Sequence, residues 1–194
     1  MDFQKYKDII HSKLDDYRYN HSLCVADEAV RLTKLYGGSE YDAYLAGLLH
    51  DITKNDSEEQ HLRIFTMFGI MLSAVEKSSS KLWHAISGAA YSKNVLGVEN
   101  ESVILSIRYH TTARKDMTHL EKLVYLADFT SADRRYDDVE IMRNLVNTNM
   151  DDAMAYSLKY TINDLISKNL PVHPDTVEAY NQIMLKIKNR GEIK

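Results

Sequence analysis

The sequence predicts an all-α fold, folded as a single-domain helical bundle, and three observations predict it. Only two prolines occur, Pro171 and Pro174, so the first 170 residues are free of the strongest helix breaker. Apolar residues recur at helical spacing, and no alternating apolar–polar run longer than four residues reads as a strand. The glycines Gly37-Gly38, Gly69 and Gly97 fall between the periodic segments as punctuation.

Helices are expected over 2–18, 20–36, 39–50, 57–68, 82–95, 100–109, 118–130, 137–147, 150–169 and 174–190. The first is amphipathic and charged. In the second, Leu23, Ala26, Val30 and Leu32 to Leu35 form the apolar stripe, and Gly37-Gly38 ends the helix as a C-terminal glycine does. Ser39 or Asp42 caps the third, in which Ala46 and Gly47 let a neighbouring helix approach closely. The stretch "EKSSSK" (76–81) reads as a loop. Thr118-x-x-Glu121 is a capping-box pattern, and the helix it opens presents Leu120, Leu123, Val124 and Ala127 as its apolar face. "SADRRYDD" (131–138) reads as a polar turn. No repeat and no low-complexity tract interrupts the chain.

A length of 194 residues fits one domain spanning 1–194. The net charge is −4 and the pI about 6.1. That balance argues against non-specific nucleic-acid binding and against a polybasic membrane anchor. No segment approaches the roughly 20 apolar residues of a membrane span. The N-terminal stretch lacks the apolar core of a secretory signal. Cys24 is the only cysteine, so no intrachain disulfide forms and a cytoplasmic location is expected.

The stretch "AGLLHDITK" (46–54) places His50 and Asp51 side by side at the end of an apolar run, with Lys54 one turn later. Burying three ionisable groups costs several kcal/mol each unless something compensates, and a cation would. His50 and Asp51 differ by about 100° on a helix, so they share one ion only at a helix end. Polar residues in similar apolar settings are His21, His84 in "LWHAISGAA", His110 at the close of "VILSIRYH", and Asp128 in "VYLAD". Any one of them reads as a core residue; the set reads as a metal site. His11, His61 and His119 sit among polar neighbours and read as surface residues. His173, in "LPVHPDT", reads either as a structural turn or as part of the site. Cys24, one turn after His21, is a small core residue ahead of a thiolate ligand.

His21, the His50-Asp51 doublet and Asp128 match the H…HD…D signature of the HD-domain metal phosphohydrolases, and His84 and His110 resemble the additions of the subset that binds two metals. The blocks "RYNHS", "AGLLHDITK", "HAISGAA", "YHTTARKDMTHLEKLVYLAD" and "HPDTVEAYN" resemble the bacterial YqeK family of symmetrical bis(5′-nucleosyl)-tetraphosphatases, over about residues 15–181. There are departures. Where that family commonly reads His-Thr-Thr-Gly, the chain has His110-Thr111-Thr112-Ala113. Where it often reads Glu-Pro-Gly-Arg, the chain has Ser131-Ala132-Asp133-Arg134. Cys24 stands where relatives often carry glycine.

The resemblance implies an HD-type domain that cuts diadenosine tetraphosphate to two ADP by attack of a metal-activated water on phosphorus. His21, His50, Asp51 and Asp128 would hold one divalent ion. Asp51 would bridge to a second, held by His84 and His110. Iron is the first expectation; manganese, zinc or cobalt suit the same ligands. Asp51, Lys54 and Asp128 are the expected catalytic residues. The substrate-binding set is Arg18, Cys24, Lys54, His110, Thr111, Thr112, Arg134, His173 and Thr176. Arg18 reads equally as a salt-bridge partner, and Arg134 as a solvated charge. The expected partner is a dinucleoside polyphosphate or an ADP-like nucleotide, with no nucleic acid and no membrane; a homodimer is the one assembly entertained. The alternatives are another HD-type nucleotide phosphohydrolase, such as a nucleotidase or cyclic-nucleotide phosphodiesterase, and a metal-bound nucleotide sensor with little turnover.

Overall fold

The computed structural model describes residues 3–191, and among them every regular element is helical. The helices are α1 (Gln4–Lys13), α2 (Asp16–Tyr36), α3 (Glu40–Leu49), α4 (Glu58–Met67), α5 (Ala74–Ser78), α6 (Trp83–Asn94), α7 (Glu101–Tyr109), α8 (His119–Thr130), α9 (Val139–Thr148), α10 (Met150–Ser167) and α11 (Pro174–Asn189), with a 3-10 turn over Ser80–Leu82.

Local chemistry sets most of the boundaries. Ser39 accepts from the Asp42 amide at the start of α3, and Thr118 and Glu121 complete their capping box at the start of α8. Gly37 closes α2 at φ 85°, the left-handed region that glycine enters without penalty.

The structure corrects three expectations. The first helix stops at Lys13, not 18, because Leu14 turns extended and the Asp15 carboxylate caps α2 by accepting from the Arg18 amide. The 76–81 stretch is not all loop: Ser73 and Glu76 form a capping box that starts α5, and the 3-10 turn follows. On α2 the buried face is Val25, Ala26, Ala29 and Leu32, whereas Leu35 is 49% exposed.

Two apolar cores share the central helices. One joins α2 and α8 to α9, α10 and α11 through Val25, Leu126, Met142, Leu158 and Ile183. The other joins α3 to α1, α6 and α7 through Leu48, Ile10, Ala89 and Ile107. Helix α2 crosses α3 at Gly47, where an added methyl carbon would lie 2.7 Å from the Ala26 Cα. Only glycine permits that approach. It brings the N-terminal part of α2 against the C-terminal end of α3, where the histidines gather. Ala113 holds a left-handed backbone at φ 54° and is fully buried. An alanine pays about 1–2 kcal/mol there.

Candidate metal centre

Five helices bring all six expected ligands into one buried cluster. His21 comes from α2, His84 from the first turn of α6 and Asp128 from α8. His50 and Asp51 follow α3, and His110 follows α7. Three overlapping sets, His21–His50–Asp51, His50–His110–Asp128 and Asp51–His84–His110, each place one ligand atom per residue within 4.8 Å of the others.

The ring nitrogens have distinct roles. His50 Nδ1 lies 2.7 Å from the Gly47 carbonyl oxygen, and His110 Nδ1 lies 2.8 Å from that of Ile107. A carbonyl only accepts, so each Nδ1 carries the proton and each Nε2 presents a lone pair to the cluster. His110 Nε2 stands 3.4 Å from Asp51 Oδ1 and 3.1 Å from His84 Nε2, and His50 Nε2 stands 3.6 Å from Asp51 Oδ2. His50 Nε2 and Asp51 Oδ1 are buried with no hydrogen-bond partner. Acceptors that converge in a buried pocket repel one another unless a cation lies among them. The set of imidazole nitrogens and carboxylate oxygens therefore fits a divalent metal ion.

The protonation states agree. Burial pushes the His50 imidazole down to about 3 and the His84 imidazole down to about 4. Both are neutral at pH 7, the form that ligates metal. Burial works to raise Asp51, but the polar and charged groups around it, the Lys54 ammonium among them, outweigh it and hold the carboxyl well below its usual range. Asp128 is likewise raised by burial and held down more strongly by Arg134 and His21.

Three cations rim the cluster. Arg18 Nη1 lies 3.2 Å and Lys54 Nζ 3.5 Å from the Asp51 carboxylate. Arg134 donates from Nε to the Asp128 carbonyl at 2.6 Å and pairs with its carboxylate through a second nitrogen. Their side chains are 29%, 27% and 30% exposed; Arg18 and Lys54 line one cavity and Arg134 another. Burial lowers the Lys54 ammonium and Asp51 opposes that shift.

Thr111, Thr112, His173 and Thr176 sit beside this cluster, not in it. They line a cavity of about 280 Å³ that Leu82, Leu165 and Pro171 close on the apolar side. Thr176 Oγ1 donates to the Thr112 carbonyl at 2.7 Å, and Thr112 Oγ1 to the Ala113 carbonyl at 2.9 Å. Thr111 Oγ1 is buried without a partner. His173 caps α11, its Nδ1 accepting from the Asp175 amide. A second cavity of about 450 Å³, lined by Arg18, Lys54, Lys81 and His84, shares Lys81 with the first. Cys24 is half-buried and belongs to none of the ligand sets.

His11 and His119 are exposed, as expected, but His61 is not a surface residue. It is buried, with Nδ1 2.8 Å from Ser87 Oγ, because α4 packs this face on α6. Its apolar partner one turn on, Phe65, was the available signal. Two groups were missed altogether. Asp133 Oδ2 lies 2.7 Å from His21 Nδ1. Glu76 is buried and takes Arg108 Nη2 at 2.5 Å, with His173 Nε2 3.8 Å away. No short-range pattern announces either contact.

Helices that fold their histidines and aspartates onto one buried point are the arrangement of an HD domain, and the HD domain family model matches residues 18–133. The chain is 35% identical to the "Bis(5'-nucleosyl)-tetraphosphatase, symmetrical" of Halalkalibacterium halodurans, over 93% of this chain and 96% of that one. It is 33% identical to the protein of the same name from Bacillus subtilis, over 90% and 94%. The crystal structure of a predicted HD superfamily hydrolase involved in NAD metabolism from Clostridium acetobutylicum superposes with a TM-score of 0.92 at 33% identity, covering 96% of this chain and 98% of that one. The chain belongs to this HD-domain family of symmetrical bis(5′-nucleosyl)-tetraphosphatases.

Proposed function

We infer that this chain is a metal-dependent phosphohydrolase that cuts diadenosine tetraphosphate at its centre into two ADP. The observation that carries the reading is the buried convergence of histidine lone pairs and aspartate oxygens behind a rim of Arg18, Lys54 and Arg134. The position of the cut rests on the family relationship.

We assign two divalent ions, iron first, with manganese, zinc or cobalt as the alternatives. His21, His50, Asp51 and Asp128 would hold one, and Asp51, His84 and His110 the other. Bound there, the ions supply Lewis acidity that acidifies a water and polarises a phosphoryl oxygen. The chain's own residues do the rest. Arg18, Lys54 and Arg134 meet the phosphate chain at the opening and stabilise the charge that develops on the leaving phosphate. Thr111 offers an unpartnered hydroxyl where the nucleotide enters the neighbouring cavity, and the loop bearing His173 and Thr176 forms its wall. Cys24, whose thiol neighbours Asp133, is given no role in this reaction.

The chemistry balances with one water. Its oxygen joins one central phosphorus, the central P–O bond breaks, and each half leaves as ADP. The net charge of −4 speaks against nucleic acid, Arg18, Lys54 and Arg134 meet a small polyphosphate despite it, and the single cysteine supports a cytoplasmic setting.

The test is a product assay on metal-reconstituted protein with diadenosine tetraphosphate. ADP alone is expected. ATP plus AMP would overturn the symmetrical cut, and absence of any product would overturn the hydrolase.

A further inference from the structure

Asp133 has no part in the reaction described above, yet it holds the outer side of a ring in the metal cluster. His21 is 1% exposed, and each of its nitrogens faces a carboxylate: Nε2 lies 3.0 Å from Asp128 Oδ1 and Nδ1 lies 2.7 Å from Asp133 Oδ2. His50 and His110 fix their rings on carbonyls in the last turns of α3 and α7, where helix carbonyls lack amide partners. His21 lies well inside α2, where the carbonyls are engaged by the helix. It needs an acceptor from elsewhere in the chain.

Asp133 is built to be that acceptor. Its other oxygen, Oδ1, takes the Ser131 hydroxyl at 2.8 Å. Ser131 is fully buried and the turn is tied down twice more, by the Ser131 amide on the Ala127 carbonyl at 2.9 Å and by Arg143 Nη2 on the Ser131 carbonyl at 2.9 Å. The carboxylate is thus held on both oxygens and aimed at one nitrogen.

We propose that Asp133 is a positioning residue for the metal centre: by accepting the hydrogen bond from His21 Nδ1, it fixes the tautomer and plane of that ring, so that Nε2 presents its lone pair beside Asp128. Outer partners of this kind orient a metal-binding histidine and raise its basicity, and their loss weakens metal binding roughly 10–100-fold. The proposal rests on the metal-centre reading above, and the experiment separates the two.

The measurement is a Mn²⁺ titration of metal-free protein, followed by the electron paramagnetic resonance signal of the free ion. Asp133→Ala is expected to weaken Mn²⁺ binding about 10–100-fold. Asp133→Asn keeps an accepting oxygen without the charge and should lose less, and Ser131→Ala, which only loosens the carboxylate, less again. With Mn²⁺ in excess, Asp133→Ala should recover most of its kcat. A purely structural role would lower the melting temperature and leave the Mn²⁺ affinity at the wild-type value, which would overturn the proposal. His50→Ala is the control: if it binds Mn²⁺ as the wild type does, the metal-centre reading itself falls. If it does not and Asp133→Ala binds normally, only the role of Asp133 falls. Should Asp133→Ala lose its helical circular dichroism, wild-type affinity in both Asp133→Asn and Ser131→Ala would overturn the proposal in its place.

Discussion

Two buried polar clusters meet at His84, and they are opposites. Behind it, Thr53 Oγ1 donates to the His84 carbonyl at 2.9 Å and lies 2.8 Å from Ser87 Oγ. Ser87 in turn reaches the Trp83 carbonyl at 2.9 Å and His61 Nδ1 at 2.8 Å. No side-chain polar atom of Thr53, Ser87 or His61 is buried without a partner. In front of it, His50 Nε2 and Asp51 Oδ1 have none. Both clusters are equally sequestered from water. The difference is that the first is closed by hydrogen bonds and the second keeps acceptor atoms that no hydrogen bond satisfies. Burial of polar groups does not by itself mark a functional site; the convergence of histidine nitrogens and carboxylate oxygens on one point does.

The contrast is sharpest at Asp51. Asp51→Ala should lower kcat by about 10³-fold or more, with metal lost in parallel. Its metal-free melting temperature should fall, because Arg18 and Lys54 lose the buried carboxylate they pair with. Metal analysis, the product assay and a thermal melt on one preparation check all three. Full activity would erase the distinction between the clusters.

Gly47→Ala comes next. Its methyl would meet the Ala26 backbone, which has no side chain to swing aside, and the expected cost is about 1–3 kcal/mol in urea denaturation. Because the same crossing seats His21 against His50, Mn²⁺ affinity should fall as well.

Ser87→Ala tests the closed cluster. Leaving His61 Nδ1 and Thr53 short of a partner should cost about 1–2 kcal/mol of stability, while Mn²⁺ affinity stays at the wild-type value. The smallest effect is expected at Ala113→Gly. Relief of the left-handed backbone, about 1–2 kcal/mol, is largely offset by loss of a buried methyl worth about 0.8 kcal/mol. A gain of about 0.5 kcal/mol, read from the denaturation midpoint, is the expected outcome.

The reach of the sequence follows the same division between local and distant. Capping by Ser39 and Thr118 and termination at Gly37 are written within four residues, and they were legible. The Asp15 cap is equally local, but the unbroken helical spacing across 2–18 hides it. The ligand set was legible for another reason: six polar residues interrupt apolar runs, and the resemblance orders them. Asp133 lies 112 residues from His21 and Arg108 lies 32 from Glu76, and nothing in either neighbourhood names the partner. His61 was misplaced because its immediate neighbours are polar, while its environment is set by the face of α6 that α4 covers.

The carbonyls that hold His50 and His110 lie three residues before each ring, on the ends of their own helices. The orientation of those two ligands is therefore set locally, by the ends of α3 and α7 themselves. Docking the helices only has to bring finished half-sites together.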